Sequence, residues 1–219
     1  MKQLILDVRP DLQPTLDNFV PGDNAALIAA LRDHVTRQDG SVLYLWGPEG
    51  SGRTHLLRAA VKLAGDSRPV SYIDANGNVP VAEQTALHAI DDLQAHSEDS
   101  LAELFRQLIN ARANRLSLII AGDVPPTALN LRADVASRIA QGLVFEMRPL
   151  SDAQKTDALL QHASERGMAM SREMIDYLLR HTRRDLPWLM AVLDALDEAS
   201  LSLARPLTLP LLREILKAE

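Results

Sequence analysis

Two short stretches carry residues whose types and spacing suit phosphate chemistry. Gly47-Pro48-Glu49-Gly50-Ser51-Gly52-Arg53-Thr54 has the glycine positions of a P-loop. In such a loop unhindered backbone N–H groups converge on a phosphate, and the helix that follows offers its positive end. Thr54 stands where the loop keeps a hydroxyl for Mg2+, and Arg53 where it keeps a lysine. A guanidinium retains the charge and can fork onto phosphate oxygens, but it is bulkier and not interchangeable with an ammonium. Farther on, Ala89-Ile90-Asp91-Asp92 ends an apolar run on paired acids. Such a pair divides the work, Asp91 holding Mg2+ through its water shell and Asp92 orienting an attacking water. Each stretch also has a plainer reading, as a Gly-rich turn joining strand to helix and as an ordinary acidic turn. Their order and spacing favour phosphate chemistry.

These residues need rigid elements to aim them. Val42-Leu43-Tyr44-Leu45-Trp46 is a continuous apolar run ending in the Gly-rich turn, the pattern of a buried parallel strand. A helix over 54–64 follows, with Leu56, Leu57, Ala60 and Val61 at helical spacing. Further strands are predicted over 70–73, 86–90, 116–121 and 143–147. Ser97-Glu98-Asp99-Ser100 reads as a helix start, with an apolar stripe over 101–113. A helix over 134–141 carries Arg138, and the Gly/Asn/Pro-rich segment 74–85 is short enough to be a loop. Strands alternating with helices imply a parallel sheet with helices on both faces. After Pro149-Leu150 only helical periods remain, over 151–166, 171–183, 186–203 and 208–217. The chain therefore divides into a short tail (1–12), an α/β subdomain (13–150) and a small all-helical subdomain (151–219).

Composition narrows the function classes. The 219 residues carry a formal charge of −6, whereas duplex binders rely on Lys and Arg to neutralise phosphates. Aromatics are only 4%, which leaves few platforms for stacking single-stranded bases. There is no cysteine, so disulfides and thiolate zinc sites are excluded, and a reducing compartment such as the cytoplasm is permitted. The histidines show no helical ligand spacing. Apolar runs are broken by charge or Pro well before they could span a bilayer, and Asp7 interrupts the start where a secretion signal would stay apolar.

Taken together, the motifs resemble the DnaA-like AAA+ replication proteins. Gly52-Arg53-Thr54-His55-Leu56-Leu57-Arg58-Ala59 is similar to that family's G-K-T-H-L-L-x-A run, and Ile90-Asp91-Asp92-Leu93-Gln94 to its I-D-D-I-Q. Phe19-Val20-Pro21-Gly22-Asp23-Asn24 resembles the segment that packs beside the nucleotide base. Ala121-Gly122-Asp123 resembles the sensor 1 stretch, with Asp123 in the sensor position, and Ser137-Arg138 the box that carries an arginine finger. The resemblance implies an AAA+ P-loop NTPase fold, a five-stranded parallel sheet followed by a helical lid. It implies ADP or ATP with Mg2+ as cofactors, held by Phe19, Val20, Gly22, Asn24, Gly47, Gly50, Ser51, Gly52, Arg53, Thr54 and His55, with Thr54 and Asp91 toward the metal.

Three features resemble the Hda regulators within that family. The sequence ends at Glu219, where DnaA would continue into a DNA-reading domain; Arg replaces Lys in the P-loop; and Gln3-Leu4-Ile5-Leu6-Asp7-Val8 is similar to a sliding-clamp-binding peptide. In that peptide Gln3, Leu4, Leu6 and Val8 would be the anchors of a flexible tail; a bare apolar strand is the alternative. The resemblance implies a cytoplasmic regulator without a DNA-binding domain of its own. It would dock on the clamp and present Arg138 to the ATP of DnaA, and homo-oligomers are compatible with this. One departure stands out. The sensor 2 arginine position, by register with Leu186, Leu189 and Val192, holds Pro187, which argues against intrinsic hydrolysis unless Arg183 or Arg184 substitutes. The competing function is a self-acting ATPase, such as a helicase-loader or clamp-loader subunit.

Overall fold

A computed structural model describes residues 13–80 and 86–216. Five parallel strands, β1 (Val42–Trp46), β2 (Val70–Ile73), β3 (Leu87–Ile90), β4 (Ser117–Gly122) and β5 (Leu143–Glu146), form one sheet in the order β2-β3-β4-β1-β5. The expected five-stranded parallel sheet is thus present. The strand before the P-loop lies between β4 and β5, with Trp46 opposite Gly122 on one side and Glu146 on the other.

Strand alternation sends side chains to two separate cores. Leu43 and Leu45 of β1, Leu87 and Ala89 of β3, and Ile119 and Ala121 of β4 face a cluster completed by α1 (Ala25–Thr36) and α2 (Arg53–Gly65). Tyr44, Ile90, Leu118 and Ile120 face the opposite cluster, completed by α3 (Glu98–Asn114) and α4 (Ala133–Ala140). Burying both faces explains why β1, β3 and β4 are mostly apolar, with His88 and Ser117 as buried polar exceptions. Each fully buried Leu or Ile contributes roughly 1.5–3 kcal/mol over the exposed side chain.

Periodicity had not marked α1, although Leu27, Leu31, His34 and Val35 recur at helical spacing and are its buried residues. The other helices fall within a few residues of their predicted spans. Three begin one residue after a serine that the sequence reading had placed inside, or at the start of, the helix. Ser97, Ser151 and Ser171 are N-caps whose side chains accept from Ser100 N, Gln154 N and Met174 N. Segment 74–80 carries no helix, and its Val79 is tied beneath α3 by donating its N–H to Ser100 Oγ at 3.3 Å.

Pro14–Pro149 forms one compact unit, and the helices beyond it belong to another that spans Leu150–Glu219. The latter comprises α5 (Asp152–Glu165), α6 (Arg172–His181), α7 (Leu186–Leu203) and α8 (Leu209–Leu216). Leu159, Ile175, Leu178, Leu189, Leu193 and Leu212 are among its buried core residues, and Trp188 packs against them.

Candidate functional site

The P-loop geometry follows from where its glycines sit. Gly50 and Gly52 have φ of 77° and 95°, a region that side-chain-bearing residues rarely occupy. Gly52 is the residue that enters α2, and a Cβ placed there would come within 2.8 Å of Phe19 Cε2. A Cβ on Gly50 would meet nothing within 4 Å, so the loop faces open space there. Gly47 anchors the loop by donating its N–H to Gly122 O at 3.2 Å.

Around that space lies a cavity of about 630 Å³ lined by Glu49, Gly50, Gly52, Arg53, Thr54, Asp92, Gln94, Ala95 and Asp123. Thr54 and Asp123 are exposed at its surface. Two buried polar atoms of the loop, Ser51 Oγ and Arg53 Nη1, have no hydrogen-bond partner among the described residues. Arg53 Nη2 lies 3.4 Å from Asp92 Oδ1, a long and correspondingly weak bond. A cradle with unhindered glycines, an orphaned hydroxyl and a half-paired guanidinium fits a polyphosphate.

The paired acids part company in space. Asp91 is 2% exposed; its Oδ2 accepts from the Tyr72 hydroxyl at 2.8 Å and its Oδ1 from Asp92 N–H at 3.0 Å. Asp92 adopts φ 46°, ψ 54°, a left-handed conformation uncommon for a residue with a side chain, and reaches the cavity. Behind them, His96 donates from Nε2 to Asp91 O at 2.9 Å, while its Nδ1 lies 3.1 Å from Ser100 Oγ. Beneath β4, Tyr44 donates to Val124 O at 2.7 Å. Burial, then the negative charge of Asp123, holds the Tyr44 phenol far above its ordinary pKa. Tyr44, Tyr72 and His96 were not singled out from sequence. A tyrosine or histidine inside a strand or turn gives no spacing signal, and only the fold brings them to the acids.

The segment expected beside a base supports the loop from outside. Phe19 lies against Gly52 and tilts on His55, ring centroids 5.4 Å apart. His55 Nε2 donates to Thr15 O at 3.0 Å, and burial lowers its pKa, so the ring packs in its neutral form. Asn24 is buried, donating to Pro21 O and to Arg148 O (2.8 Å) and accepting from Arg148 N–H at 2.8 Å. Its amide is thereby committed to backbone. Val20 is half-buried, and Gly22 turns the chain at φ 50°.

Arg138 is elsewhere. It is exposed on α4 and lines a cavity of about 400 Å³ with Gly40, Ser41 and Val42 at the start of β1, whereas the P-loop follows the end of that strand. Five strand residues separate the two by on the order of 15 Å. Ile109 and Leu143, each 48% exposed, line the same cavity. Among the described residues Arg138 has no carboxylate partner. In the helical unit, Pro187 is exposed in the first turn of α7, Arg184 lies 3.6 Å from Asp152, and Arg183 is exposed. Gln3, Leu4, Leu6 and Val8 lie outside the described residues. Among the described residues no helix is long and apolar enough to cross a membrane.

Comparison with known proteins agrees with this architecture. Residues 152–216 match the family model described as "Hda, lid domain". The chain is similar to domain III of the replication initiation protein DnaA from Thermotoga maritima, at 20% identity and TM-score 0.70, with 96% of this chain and 97% of that one covered. It is similar to AMPPCP-bound DnaA from Aquifex aeolicus at 20% identity and TM-score 0.68, covering 87% and 66%. A RuvB variant of Thermotoga maritima, at 14% identity and TM-score 0.68, covers 93% and 72%.

Proposed function

We propose that this chain, whose fold is similar to that of DnaA domain III and whose residues 152–216 match the Hda lid model, is a regulatory adaptor that promotes hydrolysis of DnaA-bound ATP. In this reading the chain binds an adenine nucleotide with Mg2+, docks on the sliding clamp through Gln3, Leu4, Leu6 and Val8, and turns Arg138 toward the partner. The observation that carries it is the position of Arg138. The guanidinium is exposed, lacks a carboxylate partner among the described residues, and sits at the end of the sheet away from its own P-loop. That position supports a role toward another molecule's phosphates, with the exposed Ile109 and Leu143 beside it as apolar footing. Such a donor neutralises charge that grows in the transition state and is worth ~10³–10⁵ in rate.

The chain's own nucleotide has a supporting role in this reading. The loop N–H groups, Ser51 Oγ, Arg53 and the positive end of α2 would hold its phosphates, with Thr54 and Asp91 toward the metal. Bound Mg2+ would supply charge neutralisation between phosphate oxygens and acids. Among the described residues no three His, Cys, Asp or Glu side chains converge, so that ion would depend on the phosphates for its remaining ligands. Arg53 shares its charge with Asp92, the acid that would orient a water, and Pro187 offers no guanidinium at the start of α7. Both features support a chain that holds nucleotide and turns it over slowly at most.

The self-acting ATPase keeps one observation in its favour, the placement of Asp92 and Thr54 on the same cavity. Turnover by the isolated chain separates the two readings. The adaptor reading itself is tested by capture of purified DnaA on DNA-loaded clamp, with and without ADP. Retention of DnaA that requires this chain supports it, and retention unaffected by the chain overturns it.

A further inference from the structure

Asp91 is a nearly buried carboxylate with two neutral donors and, among the described residues, no ion pair. A buried carboxylate so provided is under-compensated, since neutral hydrogen bonds offset only part of its lost hydration. Its backbone is already fixed, because Asp91 N–H donates to Ile73 O at 2.8 Å and Asp91 O accepts from His96 at 2.9 Å. What remains free is the side-chain rotation that decides where the carboxylate points. The Tyr72 hydroxyl, donating to Oδ2 at 2.8 Å from the neighbouring strand β2, removes that freedom.

We infer that Tyr72 is a positioning residue that presents the Asp91 carboxylate to a divalent cation. The inference rests on the nucleotide–Mg2+ reading above and adds to it a residue outside the loop motifs. Two features suit Tyr72 to the task. Its ring is held in place beneath Arg58, whose guanidinium carbon lies 5.0 Å from the ring centroid. Each Asp91 oxygen retains a further lone pair once its one hydrogen bond is made, so the carboxylate keeps acceptor capacity for a cation. Partners of this kind orient metal ligands, and their loss typically costs about 10–100-fold in metal affinity.

A hydroxyl that merely satisfied a buried acid would affect stability and not the metal, so the test separates the two. ADP affinity is measured on the full chain in EDTA and across a Mg2+ titration, for wild type and Tyr72→Phe. The ring and its packing are kept, and the melting temperature checks folding. The expected result is ADP affinity in EDTA within about twofold of wild type, with the Mg2+ needed for half-maximal tightening raised about tenfold or more. In an Asp91→Asn background the same change should add nothing, since the cycle then lacks the group on which Tyr72 acts. A shift in the Mg2+ midpoint of less than about threefold, or an equal loss with and without Mg2+, overturns the inference. If wild-type ADP affinity ignores Mg2+ altogether, the nucleotide–metal reading has failed, and the inference falls with it.

Discussion

Arg53 shows most directly how a single residue changes what a P-loop does. Its guanidinium is mostly buried, one nitrogen without a partner and the other 3.4 Å from Asp92. The cation is thus shared between the loop and an acid. Replacing Asp92 by Asn should free it, tightening ADP binding in EDTA about two- to fivefold, as befits a half-exposed pair worth roughly 0.5–1 kcal/mol. Isothermal titration of the two proteins checks this, and unchanged affinity would mean the pair has no hold on the loop. Gly52 is a second lever. Its φ of 95° and the closeness of Phe19 mean that Gly52→Ala should cost about 1–3 kcal/mol and lower ADP affinity, read by urea unfolding and titration.

His34 tests the interior. Burial pulls its pKa from 6.5 to about 4, with Arg68 acting the same way and Asp39 opposing. Its Nδ1 meets Ser41 Oγ at 3.1 Å. The folded state therefore resists a proton that the unfolded chain accepts. Nothing is lost above pH 6.5, and stability falls between 6.5 and about 4, by on the order of 3 kcal/mol at the end of that window. Urea midpoints from pH 7 to 4.5 should fall less steeply in His34→Gln than in wild type; parallel slopes would place the acid sensitivity elsewhere.

At the scale of elements, the Asn24 amide ties residues 14–24 to the end of β5. Asn24 bridges Pro21 O to both backbone groups of Arg148, 124 positions away, just after β5. Asn24→Ala would leave buried backbone groups unpaired and should destabilise the Pro14–Pro149 unit by about 2–4 kcal/mol, measured as a shift in the urea midpoint. A loss under about 0.5 kcal/mol would show that water replaces the amide. The strands were legible because β1, β3 and β4 are buried on both faces and so are mostly apolar, His88 and Ser117 being the polar exceptions. The order β2-β3-β4-β1-β5 was not, because pairing such as Val42 with Leu118 depends on residues far apart in sequence. The loop glycines and Asp91-Asp92 were equally readable, since a tight backbone demands specific residue types at fixed spacing. Their supports Tyr72 and His96 were not, since a side chain that acts across strands leaves no local pattern. Asn24 was expected near a base, yet its side chain is occupied by backbone.

On the scale of the whole molecule, the sheet has the Gly-rich loop and its cavity beyond the end of β1, and at its beginning an arginine with no carboxylate partner among the described residues. The proposed adaptor role rests on that polarity, with the chain's own nucleotide expected at one end and a partner at the other. Arg138 projects from a short helix whose buried residues are Val135 and Ile139, so trimming its side chain leaves the core intact. Arg138→Ala should match wild type in melting temperature, in ADP affinity and in capture on the clamp. The decisive measurement is single-turnover hydrolysis of DnaA-bound ATP on DNA-loaded clamp, comparing the two proteins. Loss of a donor that acts only in the transition state should slow the stimulated rate by about 10³-fold or more while association is unchanged. Stimulation by Arg138→Ala equal to that of wild type, with the variant still clamp-bound, would contradict the account.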